Sequence, residues 1–254
     1  MAYIFPSLIS SDLLHLEKTI KNLSPHSAGY HIDIMDNHFV PNLTWGLPFI
    51  AAISTVATKP LWIHLMVDNP ETWVTTMQIP QGSIISFHLE AVADSKKIYA
   101  LIAAIQKKKW RASIAISPDT DIEKLFPFLS KPDTNTEKPP SLLPKNADTD
   151  TEKLSPFLHT IDHVLMMGVV PGFSGQPFLP STYDRVAQLS SYCSDNNLTI
   201  TLAVDGGVTR DNCVKLLALG VQHFAIASAL FDAPDPVVAL QEFQALISGV
   251  NIRC

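Results

Sequence analysis

Eight short apolar runs recur along the chain, at residues 4–9, 29–35, 61–66, 83–87, 112–116, 161–167, 199–204 and 222–226. Longer amphipathic stretches separate them, such as Leu13–Leu23 and Ser95–Lys107. Runs this short read as strands, and apolar residues at helical spacing read as helices. Asp12 precedes the first helical stretch as a candidate N-cap. Parallel neighbours need helical crossovers, so strand–helix units in series predict a parallel sheet. Eight units is the number that closes a barrel. The rival is an open, doubly wound sheet, which wants a glycine-rich turn after its first strand. PSLISSD stands there and contains no glycine. The expected fold class is α/β, a single (β/α)8 TIM barrel over residues 1–254.

One segment breaks the rhythm. Asp119–Leu129 reads DTDIEKLFPFL and Asp148–Leu158 reads DTDTEKLSPFL, matching at nine of eleven positions with an offset of 29. Pro, Thr and Asp dominate the residues between. This is a local tandem duplication after the fifth strand, since no such period runs through the rest of the chain. Its composition suits an exposed excursion at about 119–158.

Polar residues gather at the predicted strand ends. Ser7 follows strand one, His31 and Asp33 lie in strand two, and His64 lies in strand three. His88 ends strand four, Asp205 follows strand seven, and Ser228 follows strand eight. A barrel brings these ends to one mouth. Successive strand residues face opposite sides, so in HIDIMD the residues His31, Asp33 and Met35 share one face. Buried imidazoles and carboxylates need partners. A divalent metal would satisfy His31, Asp33, His64 and Asp205 together, and that donor set suits zinc, iron or manganese. His88 is a possible fifth member, but His-Leu-Glu offers it a local partner. Two glycine-bearing loops, PGFSGQPF (171–178) and DGGV (205–208), follow strands six and seven. Such loops let backbone N–H groups approach an anion, and barrels commonly hold phosphate near the last two strands.

The net charge of -6 gives no basic footprint, which argues against nucleic acid. No apolar run approaches the roughly 20 residues that span a membrane, and nothing at the start reads as a signal peptide. Cys193, Cys213 and Cys254 form no C-x-x-C pattern. Free thiols in a reducing cytoplasm are expected.

The stretches PSLISSD, HIDIMDNHFVPNLTWG, HLMVDNP, FHLEA, SPDT, VLMMGVVPGFSGQPF and AVDGGVT resemble the ribulose-phosphate 3-epimerase family. They spread from about residue 4 to residue 231. Removing one 29-residue repeat leaves 225 residues, close to the family's usual length. The resemblance implies one divalent ion (zinc, iron, manganese or cobalt) on His31, Asp33, His64 and Asp205. It implies acid–base roles for Asp33 and Asp205. It implies substrate contacts at Ser7, His64, Gly172, Phe173, Ser174, Gly175, Gly206, Gly207, Ala227 and Ser228, with Met35, Met66 and Met167 lining the site. The expected reaction interconverts D-ribulose 5-phosphate and D-xylulose 5-phosphate through an enediolate. The expected partner is a small phosphorylated ketose, in a cytoplasmic homo-oligomer.

Several positions depart from the family pattern. Asn37, Ser174 and Ala227 stand where glycines are usual, Ser117 replaces an Asn, and Val170 replaces a glutamate. None is an expected ligand or acid–base group. An epimerase for a six-carbon ketose phosphate would use the same residues. A decarboxylase of the phosphate-binding barrel group would be expected to place a lysine in strand two, and HIDIMD has none. A non-catalytic sugar-phosphate binder would be expected to lack a ligand or carboxylate, and none is missing.

Overall fold

The computed structural model describes residues 1–129 and 161–249. Its eight strands are β1 (Tyr3–Pro6), β2 (Tyr30–Met35), β3 (Leu61–Met66), β4 (Ile84–His88), β5 (Arg111–Ile116), β6 (His163–Met167), β7 (Thr201–Asp205) and β8 (Val221–Ile226). All pair in parallel in one sheet, in the order β1-β8-β7-β6-β5-β4-β3-β2. A parallel bridge between Ser7 and His31 brings the two ends of that order together. The result is a single (β/α)8 barrel, as the eight units predict.

Helices pack outside it: α1 (Leu16–Leu23), α2 (Leu47–Val56), α3 (Pro70–Thr76), α4 (Ser95–Lys107), α5 (Phe126–Leu129), α6 (Ser181–Asp195), α7 (Arg210–Ala218), α8 (Ser228–Phe231) and α9 (Pro236–Gly249). Asp12 does cap, but it caps a short 3-10 turn, Leu13–His15, that leads into α1. Asp94 accepts from the Lys96 N–H and starts α4 at the predicted residue.

Strand alternation separates two apolar layers. Ile32, Ile34, Ile63, Leu65, Val164 and Met166 face the helices and join the main core. Trp62, Leu165, Met167, Ala203 and Ala225 face the barrel axis. Both layers are dry, so β2 and β3 are buried at every residue.

The first copy of the duplication is not an exposed excursion. Ile122, Leu125, Phe128 and Leu129 are buried, and Phe126 stacks on Tyr192 of α6 with ring centroids 3.6 Å apart. The reason lies in the unit itself, since its apolar residues recur at helical spacing and present one face to the barrel. The second copy, 148–158, lies outside the described residues.

Candidate active site

The C-terminal ends of the strands form a cleft. Ser7, Asp33, Met35, Met66, Met167, Asp205, Ala227 and Ser228 line it, with Gly172, Ser174, Gly175, Gly206 and Gly207 from the loops. His31 and His64 lie beneath its floor with no exposure. Phe173 does not line the cleft and is half-exposed. Ile9, Val169, Gln176 and Val208 also line it, and the sequence reading did not single them out.

Register explains the cluster on the floor. Asp33 pairs with His64 across β2 and β3, and inward alternation turns both side chains to the axis. Asp33 Oδ2 accepts from Ser7 Oγ at 2.9 Å, while Oδ1 lies 3.0 Å from His64 Nδ1. Asp205 Oδ2 lies 3.4 Å from the same Nδ1 and 4.0 Å from His31 Nε2. Burial opposes charge on Asp33, yet His31 and His64 hold its carboxyl well below the usual carboxylate range. Burial also opposes charge on His64, but Asp205 and Asp33 raise it to about 9. The cluster therefore keeps one proton between two carboxylates.

That arrangement fits a divalent ion. One donor atom from each of His31, Asp33, His64 and Asp205 lies within 4.8 Å of all the others. His31 Nε2 is buried and makes no hydrogen bond. An orphaned nitrogen among carboxylates is costly unless something accepts its lone pair. A cation in their midst would do so, and would replace the His64 proton.

His88 is not a fifth member of this group. Its Nε2 lies 2.9 Å from His64 Nε2, and its Nδ1 lies 3.1 Å from Glu90 Oε2. The His-Leu-Glu partner expected from sequence is present. Glu90 also receives the Ser117 N–H at 2.8 Å.

The loops after β6 and β7 are held tightly. Gln176 Nε2 donates to the Val170 and Phe173 carbonyls at 2.7 and 2.8 Å. Asn42 Nδ2 donates to the Gly172 carbonyl at 2.7 Å, and Ser10 meets Ser174 at 2.6 Å. Gly206 and Gly207 both take positive φ, 99° and 65°. A Cβ on Gly206 would come within 2.4 Å of Val169, and one on Gly207 within 2.7 Å of the Phe178 backbone. Glycine is required there on both counts. Asn37, where the family usually has glycine, is left-handed at φ 59°, which Asn tolerates.

The chain is similar to known proteins over nearly its whole length. Ribulose-phosphate 3-epimerase of Escherichia coli strain K12 is 30% identical over 250 residues, covering 98% of this chain and 97% of that one. The Serratia marcescens ribulose-phosphate 3-epimerase is 32% identical over 234 residues, covering 91% and 96%. In fold alone, the chain resembles 3-hexulose-6-phosphate synthase from Salmonella typhimurium, with a TM-score of 0.57 at 11% identity. That likeness covers 97% of this chain and 99% of the other. The model of the ribulose-phosphate 3-epimerase family matches residues 3–136 and 141–231, and the chain belongs to that family.

Proposed function

We propose that the chain interconverts D-ribulose 5-phosphate and D-xylulose 5-phosphate, with one of Asp33 and Asp205 removing the C3 proton and the other, protonated, supplying a proton to the opposite face. The observation that supports this most is their placement. The two carboxylates project from β2 and β7, which β1 and β8 separate, and both line one cleft. One can take the C3 proton from one face of the ketose, which gives a planar enediolate, and the other can then deliver a proton to the opposite face.

Ser7 orients Asp33 through its hydroxyl, leaving the carboxylate a defined lone pair for the proton. Met35, Met66 and Met167 supply an apolar, polarisable wall beside the reacting carbon. Gly175, Gly206 and Gly207 offer backbone N–H groups, and Ser228 a hydroxyl, to the phosphate at the far end. Anchoring that end positions C3 between the carboxylates. His31, Asp33, His64 and Asp205 would hold a divalent ion, whose Lewis acidity would stabilise the enediolate's negative charge. The test joins an assay of ribulose 5-phosphate turnover, with and without chelator, to elemental analysis. Turnover lost with chelator and about one ion per chain, absent in His64→Ala, are expected. Chelator-resistant turnover in a chain without stoichiometric metal would refute the metal assignment.

A further inference from the structure

We infer that His88 and Glu90 are positioning residues that fix the tautomer and orientation of His64, so that its Nδ1 stays free for the metal. This rests on the reading that His31, Asp33, His64 and Asp205 hold a divalent ion.

The argument is a proton count. His64 Nδ1 is the atom that faces both carboxylates. To give a metal its lone pair there, neutral His64 must carry its proton on Nε2. That nitrogen lies 2.9 Å from His88 Nε2. The ring planes are within 25° of parallel and the centroids lie 5.0 Å apart, a separation that suits an N–H···N bond between the facing nitrogens. One nitrogen donates and the other accepts, so His88 Nε2 must be bare. Its own proton then sits on Nδ1, 3.1 Å from Glu90 Oε2. A carboxylate only accepts, so this direction is forced. Glu90 is itself held from its other oxygen by the Ser117 N–H. Both imidazoles are fully buried, so water cannot substitute for either bond. Phe39 covers the His88 ring at 4.8 Å. Proton direction thus runs from His64 through His88 to Glu90. Groups that orient a metal-binding histidine in this way typically change affinity by about 10–100-fold.

The chain departs from its family at one point along this path, because Ser117 stands where Asn is usual. Its contribution to Glu90 is the backbone N–H, which any residue but proline provides. The hydroxyl lies 3.3 Å from His88 Nδ1 and is the longer contact.

The test measures Zn2+ binding by competition and the histidine 15N shifts by NMR. In the unaltered chain with Zn2+, His64 should carry its proton on Nε2 and His88 on Nδ1. Failure of the unaltered chain to bind Zn2+ would refute the metal reading itself. Zn2+ binding with the His88 proton on Nε2 would instead overturn this inference alone, and that measurement needs no variant. His88→Leu should weaken Zn2+ binding about 10–100-fold, while the melting temperature measured without metal falls little. His88→Gln, whose amide oxygen can accept from His64, should recover most of the affinity. Equal Zn2+ affinity in the unaltered chain and His88→Leu would overturn the positioning role, as would equal losses in the Leu and Gln variants.

Discussion

Acid should destabilise this barrel from the end opposite the cleft, and His223 should carry a measurable share. Trp62 Nε1 donates to Ser86 Oγ at 2.8 Å, and Ser86 donates to Ser113 Oγ at 2.8 Å. Ser113 must then pass its own proton to His163 Nδ1, also at 2.8 Å. That leaves the His163 proton on Nε2, 3.0 Å from His223 Nδ1. The chain of donors closes only if both imidazoles are neutral. Burial, with Arg111 and the amino terminus nearby, lowers His223 to about 4. Burial, His223 and Arg111 hold His163 well below its usual value. In the unfolded chain both should titrate near 6.5, so as pH falls below that value the unfolded state takes protons the fold refuses. Stability is therefore lost on acidification, progressively down to about pH 4 for His223. Between pH 7 and pH 5 the His223 share comes to about 2 kcal/mol. His223→Gln keeps an oxygen that can accept from His163 and removes the titration. Urea unfolding at the two pH values, with chelator present throughout, should show the variant losing about 2 kcal/mol less than the unaltered chain. Equal losses would refute the assignment of a buried neutral His223.

Three further outcomes follow from the site and the fold. Asp33→Asn and Asp205→Asn should each cost at least about 100-fold in turnover, and each should still exchange the C3 hydrogen of only one epimer with solvent; equal exchange of both epimers in both metal-loaded variants would contradict two bases. Gly207→Ala forces a left-handed alanine, costing about 1–2 kcal/mol, against the Phe178 backbone, so KM for the phosphorylated ketose should rise; an unchanged KM would remove this turn from the phosphate grip. Deleting Thr120–Asp148 leaves one repeat unit but sets Thr151 in the place of buried Ile122 and Ser155 in the place of stacked Phe126. That variant should remain active yet be less stable by about 2–4 kcal/mol, read as a lower melting temperature; equal stability would refute the packing role of the first copy.

Much of this was legible because strand alternation is a strong physical signal. In HIDIM the isoleucines turn to the helices and the polar residues to the axis, so the pattern exposed the floor of the cleft. Boundaries were less legible where an apolar residue is buried without being in a strand. Leu8 is fully buried, yet Leu8–Ser10 coils into a 3-10 turn, and β1 stops at Pro6 rather than at residue 9. Apolar content reports burial, and a buried turn looks the same as a strand. The duplicated unit failed for the opposite reason. The Pro, Thr and Asp between its copies suggested exposure, while four apolar residues at helical spacing were enough to dock the first copy.

The two histidine clusters show where sequence reading reaches its limit. His163 and His223 are buried and as close as His31 and His64, and all four lie on inward positions of barrel strands. Composition and alternation treat them alike. What separates them is hydrogen-bond accounting. At the far end each donor from Trp62 to His163 finds an acceptor, and no carboxylate is needed. At the cleft the His31 Nε2 lone pair has no hydrogen-bond partner, and two carboxylates converge on His64 Nδ1. A closed network stabilises one packing of the core, whereas an open one beside a solvent cleft leaves groups that an added ligand can satisfy. The deficit at the cleft, two acidic groups and an unpaired imidazole, is of the sign and size that one divalent cation offsets.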